Sequence, residues 1–294
     1  MQRVSFEVDG VGLAGDLRLP EASGPHPAVA IIGPMTFDRR QSPTKYAETL
    51  TQYGFATLAY DSRYRGESSG EPRCWENPVK KMDDLTAAIG YLRGRPDIDT
   101  TRVSVLGICQ GSSIALPVAQ AVGAAGLATI AGHYRDVEGD IEWLTEAGRE
   151  QRLERGLRAR ERYQQSGEVE YVKAVDETDA DVAMPGAFVW EWYQPWADRG
   201  QWENRYATMS DADLLEFESR SVASTLSVPW LMIHGDNCFL PSAAKRHMEA
   251  VPGDTETKTI WDDTPHIAYY DQQTSIDAAT AEVAKWFRDH GPHS

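Results

Sequence analysis

What the chain lacks narrows its class first. Among its 294 residues no apolar run approaches the roughly 18 needed to span a bilayer. No apolar core follows a basic start, because "MQRVSFEVDGVGLAGDLRLP" reads as two amphipathic strands turning at Asp9-Gly10 rather than as a signal peptide. Cysteine is scarce. Cys74, Cys109 and Cys238 are odd in number and too scattered for a disulfide framework or a clustered metal site, which points to a reducing, cytoplasmic setting. There is no phosphate-cradling G-x-x-x-x-G-K, no paired metal-ligand spacing, no internal repeat and no low-complexity tract. Positive charge is in deficit, with 29 Lys and Arg against 45 Asp and Glu for a net charge of -16. That field disfavours nucleic acid and anionic membranes as partners and favours solubility.

What is present is a rhythm of short apolar runs and helical patterns. "AVAIIG" (28–33), "FATLAYD" (55–61), "RVSVLG", "GLATIAG", "PWLMIHGD" (229–236) and "TETKTIW" read as strands, with helices between them from Pro43 to near Gly54, Pro78 to Leu92, and along "QGSSIALPVAQAVG". Two more are expected near Ser242 to Ala250 and Ser275 to Arg288. Repeated β-α-β units imply an α/β fold whose central sheet is mostly parallel and covered by helices on both faces. One interval is far too long for a single connection. Residues 133 to 228 are charged and helix-prone around "EAGREQRLERGLRARERYQQ", then aromatic at "FVWEWYQPWADRGQWENRY", and are expected to form a helical cap inserted between two parts of one core domain, 1–132 and 229–294. Its tryptophans Trp190, Trp192, Trp196 and Trp202 either glue the cap to itself and to the core or, for the first three, line an apolar substrate pocket.

The chemistry-bearing stretch is "VSVLGICQGSS". Gly107-Ile108-Cys109-Gln110-Gly111 fits G-x-C-x-G, the cysteine form of the nucleophile elbow, and lies between a strand and a helix as the elbow must. The turn strains the nucleophile's backbone and brings neighbouring chain close, so the flanking positions must lack bulk. The helix N-terminus and a nearby imidazolium would both favour a thiolate. The plain alternative is a small buried structural cysteine.

Partners should follow in the order nucleophile, acid, histidine. His266, in a loop between the last strand and the last helix, is the candidate general base and acid. His133 borders the cap and could touch substrate, and His234 ends a strand as a structural residue. His26, His247, His290 and His293 read as surface residues. Asp236, after "PWLMIHG", is the candidate acid, with Asp263 a weaker one; a turn residue is the alternative for Asp236. An oxyanion hole needs two backbone donors. Gln110 supplies one, and Met35 the other, because Pro34 has no N–H.

With these segments the chain resembles the α/β-hydrolase superfamily, and within it the dienelactone-hydrolase-like branch whose elbow carries cysteine. "GPMTFDRRQ", "YDSRYRGESSGEPR" and "HIAYYDQ" support the likeness. The resemblance implies an α/β-hydrolase fold and triad roles for Cys109, Asp236 and His266. Two departures stand out: the usual H-G-x-x-D would put the acid at Cys238, and compact dienelactone hydrolases have no large cap.

The expected activity is cleavage of an ester, lactone or thioester through a Cys109 acyl-enzyme, with no cofactor and no metal. An acyltransferase or cyclase using the same site is the alternative enzyme, and a non-catalytic binding protein on the same scaffold is the alternative of another class. The expected partner is a small, partly apolar acyl compound; a homo-oligomer is left open.

Overall fold

The computed structural model describes residues 1–291. Its central sheet has eight strands: β1 (Gln2–Val8), β2 (Val11–Arg18), β3 (His26–Ile32), β4 (Ala56–Tyr60), β5 (Ile98–Ile108), β6 (Leu127–Ile130), β7 (Trp230–His234) and β8 (Thr257–Trp261), in the spatial order β1-β2-β4-β3-β5-β6-β7-β8. β1 and β2 form the expected hairpin, with Asp9 (φ 52) and Gly10 (φ 75) both left-handed at its turn. β2 meets β4 antiparallel, and from β4 to β8 every pair is parallel.

The central strands are buried on both faces, which is why they read as continuous apolar runs rather than alternating ones. Alternation survives in which core each residue enters. Val29 and Ile31 of β3 join one cluster, and Ala28, Ala30 and Ile32 the other. The first cluster lies under α1 (Ser42–Gln52) and the C-terminal helix, the second under α2 (Pro78–Arg93) and α3 (Gly111–Val122). α2 starts where the sequence predicts: Pro78 opens it, and the Asn77 side chain caps it by accepting the Lys80 N–H at 2.9 Å. Val79, in its first turn, is exposed.

Between β6 and β7, residues 133–228 hold α4 (Val137–Leu144), α5 (Glu146–Ser166), α6 (Ala187–Asp198), α7 (Ser210–Leu215) and α8 (Arg220–Ala223). The segment is not helical throughout. Tyr171–Val172 pairs with Tyr206–Ala207, and Val175–Asp176 with Met184–Pro185, as two short ladders. After β7 come α9 (Pro241–Ala250), then, past β8, α10 (Ala268–Asp271) and α11 (Gln273–His290). No helix among the described residues is long and apolar enough to cross a membrane.

Parallel strands deliver their carboxyl ends to one edge, where loops of an open α/β sheet make a crevice. Met35 follows β3, Cys109 follows β5, His133 follows β6, Phe239 lies beyond β7 and His266 beyond β8.

Candidate active site

Cys109 occupies the turn between β5 and α3 with φ 52, a left-handed conformation that non-glycine residues adopt only when their surroundings enforce it. The flanking glycines are what the turn requires. A Cβ at Gly107 would lie 2.7 Å from the Gly111 carbonyl oxygen, and one at Gly111 would lie 2.5 Å from the Ile32 carbonyl oxygen. The thiol is 9% exposed. Burial pushes its pKa above the ordinary thiol value, while the Tyr270 hydroxyl and the backbone N–H groups of Gln110 and Met35 draw it back down. The two amides expected to hold an oxyanion therefore both act on the candidate nucleophile.

The loop that carries Met35 is pinned from the inserted segment. Tyr193 donates its hydroxyl to the Met35 carbonyl at 2.8 Å, and Trp202 donates its indole N–H to the Thr36 carbonyl at 2.6 Å. From below, fully buried Arg39 pairs with Asp61, with Asp16 at 3.1 Å and with Glu67 at 3.1 Å. These contacts fix a loop whose Thr36 also sits at positive φ, 60.

His266 is 7% exposed and lines the same cavity as Cys109. Its Nδ1 accepts the Phe239 backbone N–H at 3.1 Å, which leaves the proton of the neutral ring on Nε2. Nε2 lies 3.0 Å from the Tyr270 hydroxyl, which shares the cavity with Cys109 and favours its thiolate. A chain of donors thus runs from Phe239 N–H to His266, from His266 to Tyr270 and from Tyr270 to the sulfur. Burial, with a smaller effect from His234, pushes the His266 pKa down to about 3, and burial drives the Tyr270 hydroxyl well above the usual tyrosine range.

The expected acid is not at this histidine. Asp236 is exposed and pairs with Lys245 at 3.1 Å, because the turn after β7 points it to solvent two residues before the chain reaches the site. Asp263 is exposed too, and its backbone carbonyl accepts the Asn237 side chain at 2.8 Å. The position that H-G-x-x-D assigns to the acid holds buried Cys238, whose thiol burial pushes up to about 12. The amide of the next residue, Phe239, takes the place of a carboxylate at Nδ1.

The cavity of about 580 Å³, mouth included, is lined by Pro34, Met184, Phe188, Val189 and Phe239 among others, together with Cys109, His133 and His266. Trp190, Trp192 and Trp196, expected there, do not line it. Trp192 bonds Asp271 at 3.1 Å and packs edge-on to Tyr270, Trp196 leans on Trp192 beneath Arg199, and Trp190 packs on the core. The indoles join the inserted segment to the core, and the aromatics that reach the cavity from it are Trp143, Phe188 and Tyr193. His133 does line it.

Two histidines read as surface residues are buried. His247 lies 2.8 Å from the Ala243 carbonyl and 3.0 Å from the Ser219 hydroxyl, and His26 packs where β3 enters the sheet. His290 is partly buried on Trp286, and His293 lies outside the described residues. His234 is buried at the end of β7, 3.0 Å from the Gly132 carbonyl. Tyr270 was missed. It stands four residues after His266 at the entry to α10, and that i, i+4 spacing was the available signal. Among the described residues no group of three His, Cys, Asp or Glu side chains could hold a metal ion.

The comparisons with known proteins agree with this architecture. Over 109 residues the chain is 39% identical to the Pseudomonas aeruginosa protein PA2218, a stretch covering 36% of this chain and 29% of that protein. The crystal structure of PA2218 matches with a TM-score of 0.82 over 98% of this chain and 93% of the other, at 22% identity. The polyketide transferase claH of Penicillium crustosum is 32% identical over 121 residues, 40% of this chain and 39% of that protein. The thiohydrolase aneE of Aspergillus aculeatus is 32% identical over 112 residues, 38% of this chain and 35% of that protein. The chain thus spans well under half the length of these curated relatives. A model of the alpha/beta hydrolase family matches residues 36–284, and the chain belongs to that family.

Proposed function

We propose that the protein is a hydrolase-type enzyme that cleaves an ester, lactone or thioester through a covalent Cys109 acyl-enzyme, in the manner of the cysteine-elbow, dienelactone-hydrolase-like branch. The observation that carries this reading is a cysteine at a strained, glycine-flanked turn that shares one cavity with Met35, His266 and Tyr270, its thiol favoured toward the charged form by two backbone amides and the Tyr270 hydroxyl. A merely structural cysteine has no use for three donors. The relatives named thiohydrolase and polyketide transferase are consistent with carbonyl chemistry.

The protons balance within the site. The reactive tautomer of His266 is protonated on Nδ1 and bare on Nε2; reaching it gives up the Phe239 hydrogen bond, at a cost of about 1–3 kcal/mol. The thiol proton then moves to the Tyr270 oxygen as the Tyr270 proton moves to Nε2. Sulfur attacks the carbonyl carbon, the C–S bond forms, and Gln110 and Met35 N–H hold the oxyanion. On collapse the bond to the leaving oxygen or sulfur breaks, and that atom takes the proton back through Tyr270. Water, activated by His266, releases the acid. Residues 133–228 act as a cap whose Tyr193 and Trp202 hold the oxyanion loop. No step calls for a metal or cofactor.

A second reading, acyl transfer to an alcohol, amine or thiol, is favoured by the apolar lining, which would restrain water at the acyl-enzyme. The test is a panel of p-nitrophenyl esters, lactones and acyl thioesters with wild type and Cys109→Ala. Turnover lost in the variant is expected, product partitioning to an added acceptor identifies a transferase, and no turnover of any carbonyl substrate would sink the enzyme reading.

A further inference from the structure

The cavity holds few polar side-chain atoms, and most of them are engaged. Tyr193 is bonded to Met35, Tyr270 to His266 and the sulfur, and both ring nitrogens of His266 have partners. His133 is different. It is 4% exposed and lines the cavity, and its Nε2 is buried with no hydrogen-bond partner.

The ring is held firmly. Its backbone N–H donates to the Cys109 carbonyl at 2.9 Å, its carbonyl accepts the Ser113 hydroxyl at 2.8 Å, and its face meets Phe239 edge-on at 4.8 Å and Trp143 at 6.1 Å. A buried nitrogen kept unpaired costs roughly 1–3 kcal/mol. Such a cost is recovered when a bound molecule supplies the partner. Burial, with neighbouring Arg135 and His266, pushes the His133 pKa well below the ordinary histidine value, so the ring is neutral and presents one donor and one acceptor. No carboxylate, ammonium or guanidinium lines this cavity among the described residues. An ionised ligand group would therefore be desolvated without compensation.

We propose that His133 is a specificity residue reading one uncharged oxygen, a hydroxyl or keto group near the scissile carbonyl, on an otherwise apolar acyl chain. The favoured substrates are oxygenated acyl esters or thioesters, ahead of plain alkyl chains of equal length and ahead of dicarboxylates. This rests on the acyl-enzyme reading for the word substrate, but not for the binding preference.

Two measurements keep them separable. The first is kcat/KM for octanoyl, β-, γ- and δ-hydroxyoctanoyl, β-oxooctanoyl and octanedioyl thioesters of N-acetylcysteamine. The second is Kd for the matching unreactive primary amides, read from tryptophan fluorescence. At least one oxygenated member should exceed octanoyl by about tenfold or more in each series, the scale of one buried polar partner. In His133→Phe that ratio should fall to near one, with His133→Asn retaining part of it. A preference in Kd without turnover supports the assignment while removing the acyl-enzyme reading. Octanoyl equal to every oxygenated analogue, a ratio that persists in His133→Phe, or octanedioyl as the best member overturns it.

Discussion

Nδ1 of His266 accepts the backbone N–H of Phe239 at 3.1 Å, so an amide orients the ring where the family pattern expects a carboxylate. The consequence is a reversed polarity. A carboxylate would hold a proton on Nδ1 and bare Nε2, whereas the amide holds the proton on Nε2 and makes the resting histidine a donor toward Tyr270.

Asp236 is exposed and pairs with Lys245 away from the cavity, so Asp236→Asn should change kcat by no more than about twofold, the scale of a surface substitution. Steady-state kinetics on any substrate from the panel check it. A drop beyond tenfold would restore Asp236 to the site.

The elbow was legible in the sequence because its chemistry is local: Gly107 and Gly111 are required by atoms of adjacent turns, and strand and helix flank them within a few residues. The sheet was legible for a similar reason, since strands covered on both faces must be continuously apolar. What failed was non-local. Whether Asp236 or Phe239 reaches His266 depends on the path of the turn after β7, and whether Trp192 faces ligand or core depends on how residues 133–228 dock. Tyr270 lay in plain view beside His266, but aromatic residues near a chain's end signal packing until a partner is seen across from them.

With the Cys109 thiol raised by burial and His266 held at about 3, no thiolate-imidazolium pair forms at neutral pH. Iodoacetamide alkylation of Cys109 should climb about a hundredfold between pH 7 and pH 9, following the thiolate fraction below a raised pKa. A rate already flat below pH 7 would show an ion pair.

Tyr270→Phe keeps the ring that packs on Trp192 and removes the hydroxyl between sulfur and imidazole. The melting temperature should hold, kcat should fall by about a hundredfold, the scale of a lost proton-transfer partner, and KM should move little. Cys109 alkylation at fixed pH should slow as well, because a donor to the thiolate is gone. Unchanged kcat would make Tyr270 a packing residue.

Acid should destabilise the fold through its buried histidines. His234 is pushed down to about 4 and His266 to about 3, both chiefly by burial, so on lowering pH the unfolded chain binds protons first, near the ordinary histidine value. Stability present at pH 7 is therefore lost as pH falls, by about 2 kcal/mol for each between pH 7 and pH 5. Denaturant melts at the two pH values test this, with His234→Asn expected to remove its own share of about 2 kcal/mol and leave the shares of His266, His133 and His247, which burial also pushes down. Equal stability at both would contradict the burial of these rings in their neutral form.

The proposed mechanism stands or falls on a covalent intermediate at Cys109. The direct measurement is intact mass after rapid acid quench of the protein mixed with an acyl thioester, followed by peptide mapping. The expected result is a gain of one acyl mass, located on the peptide containing Cys109 and lost in Cys109→Ala. Turnover with no adduct in wild type at any quench time, or an adduct that persists in Cys109→Ala, would contradict it.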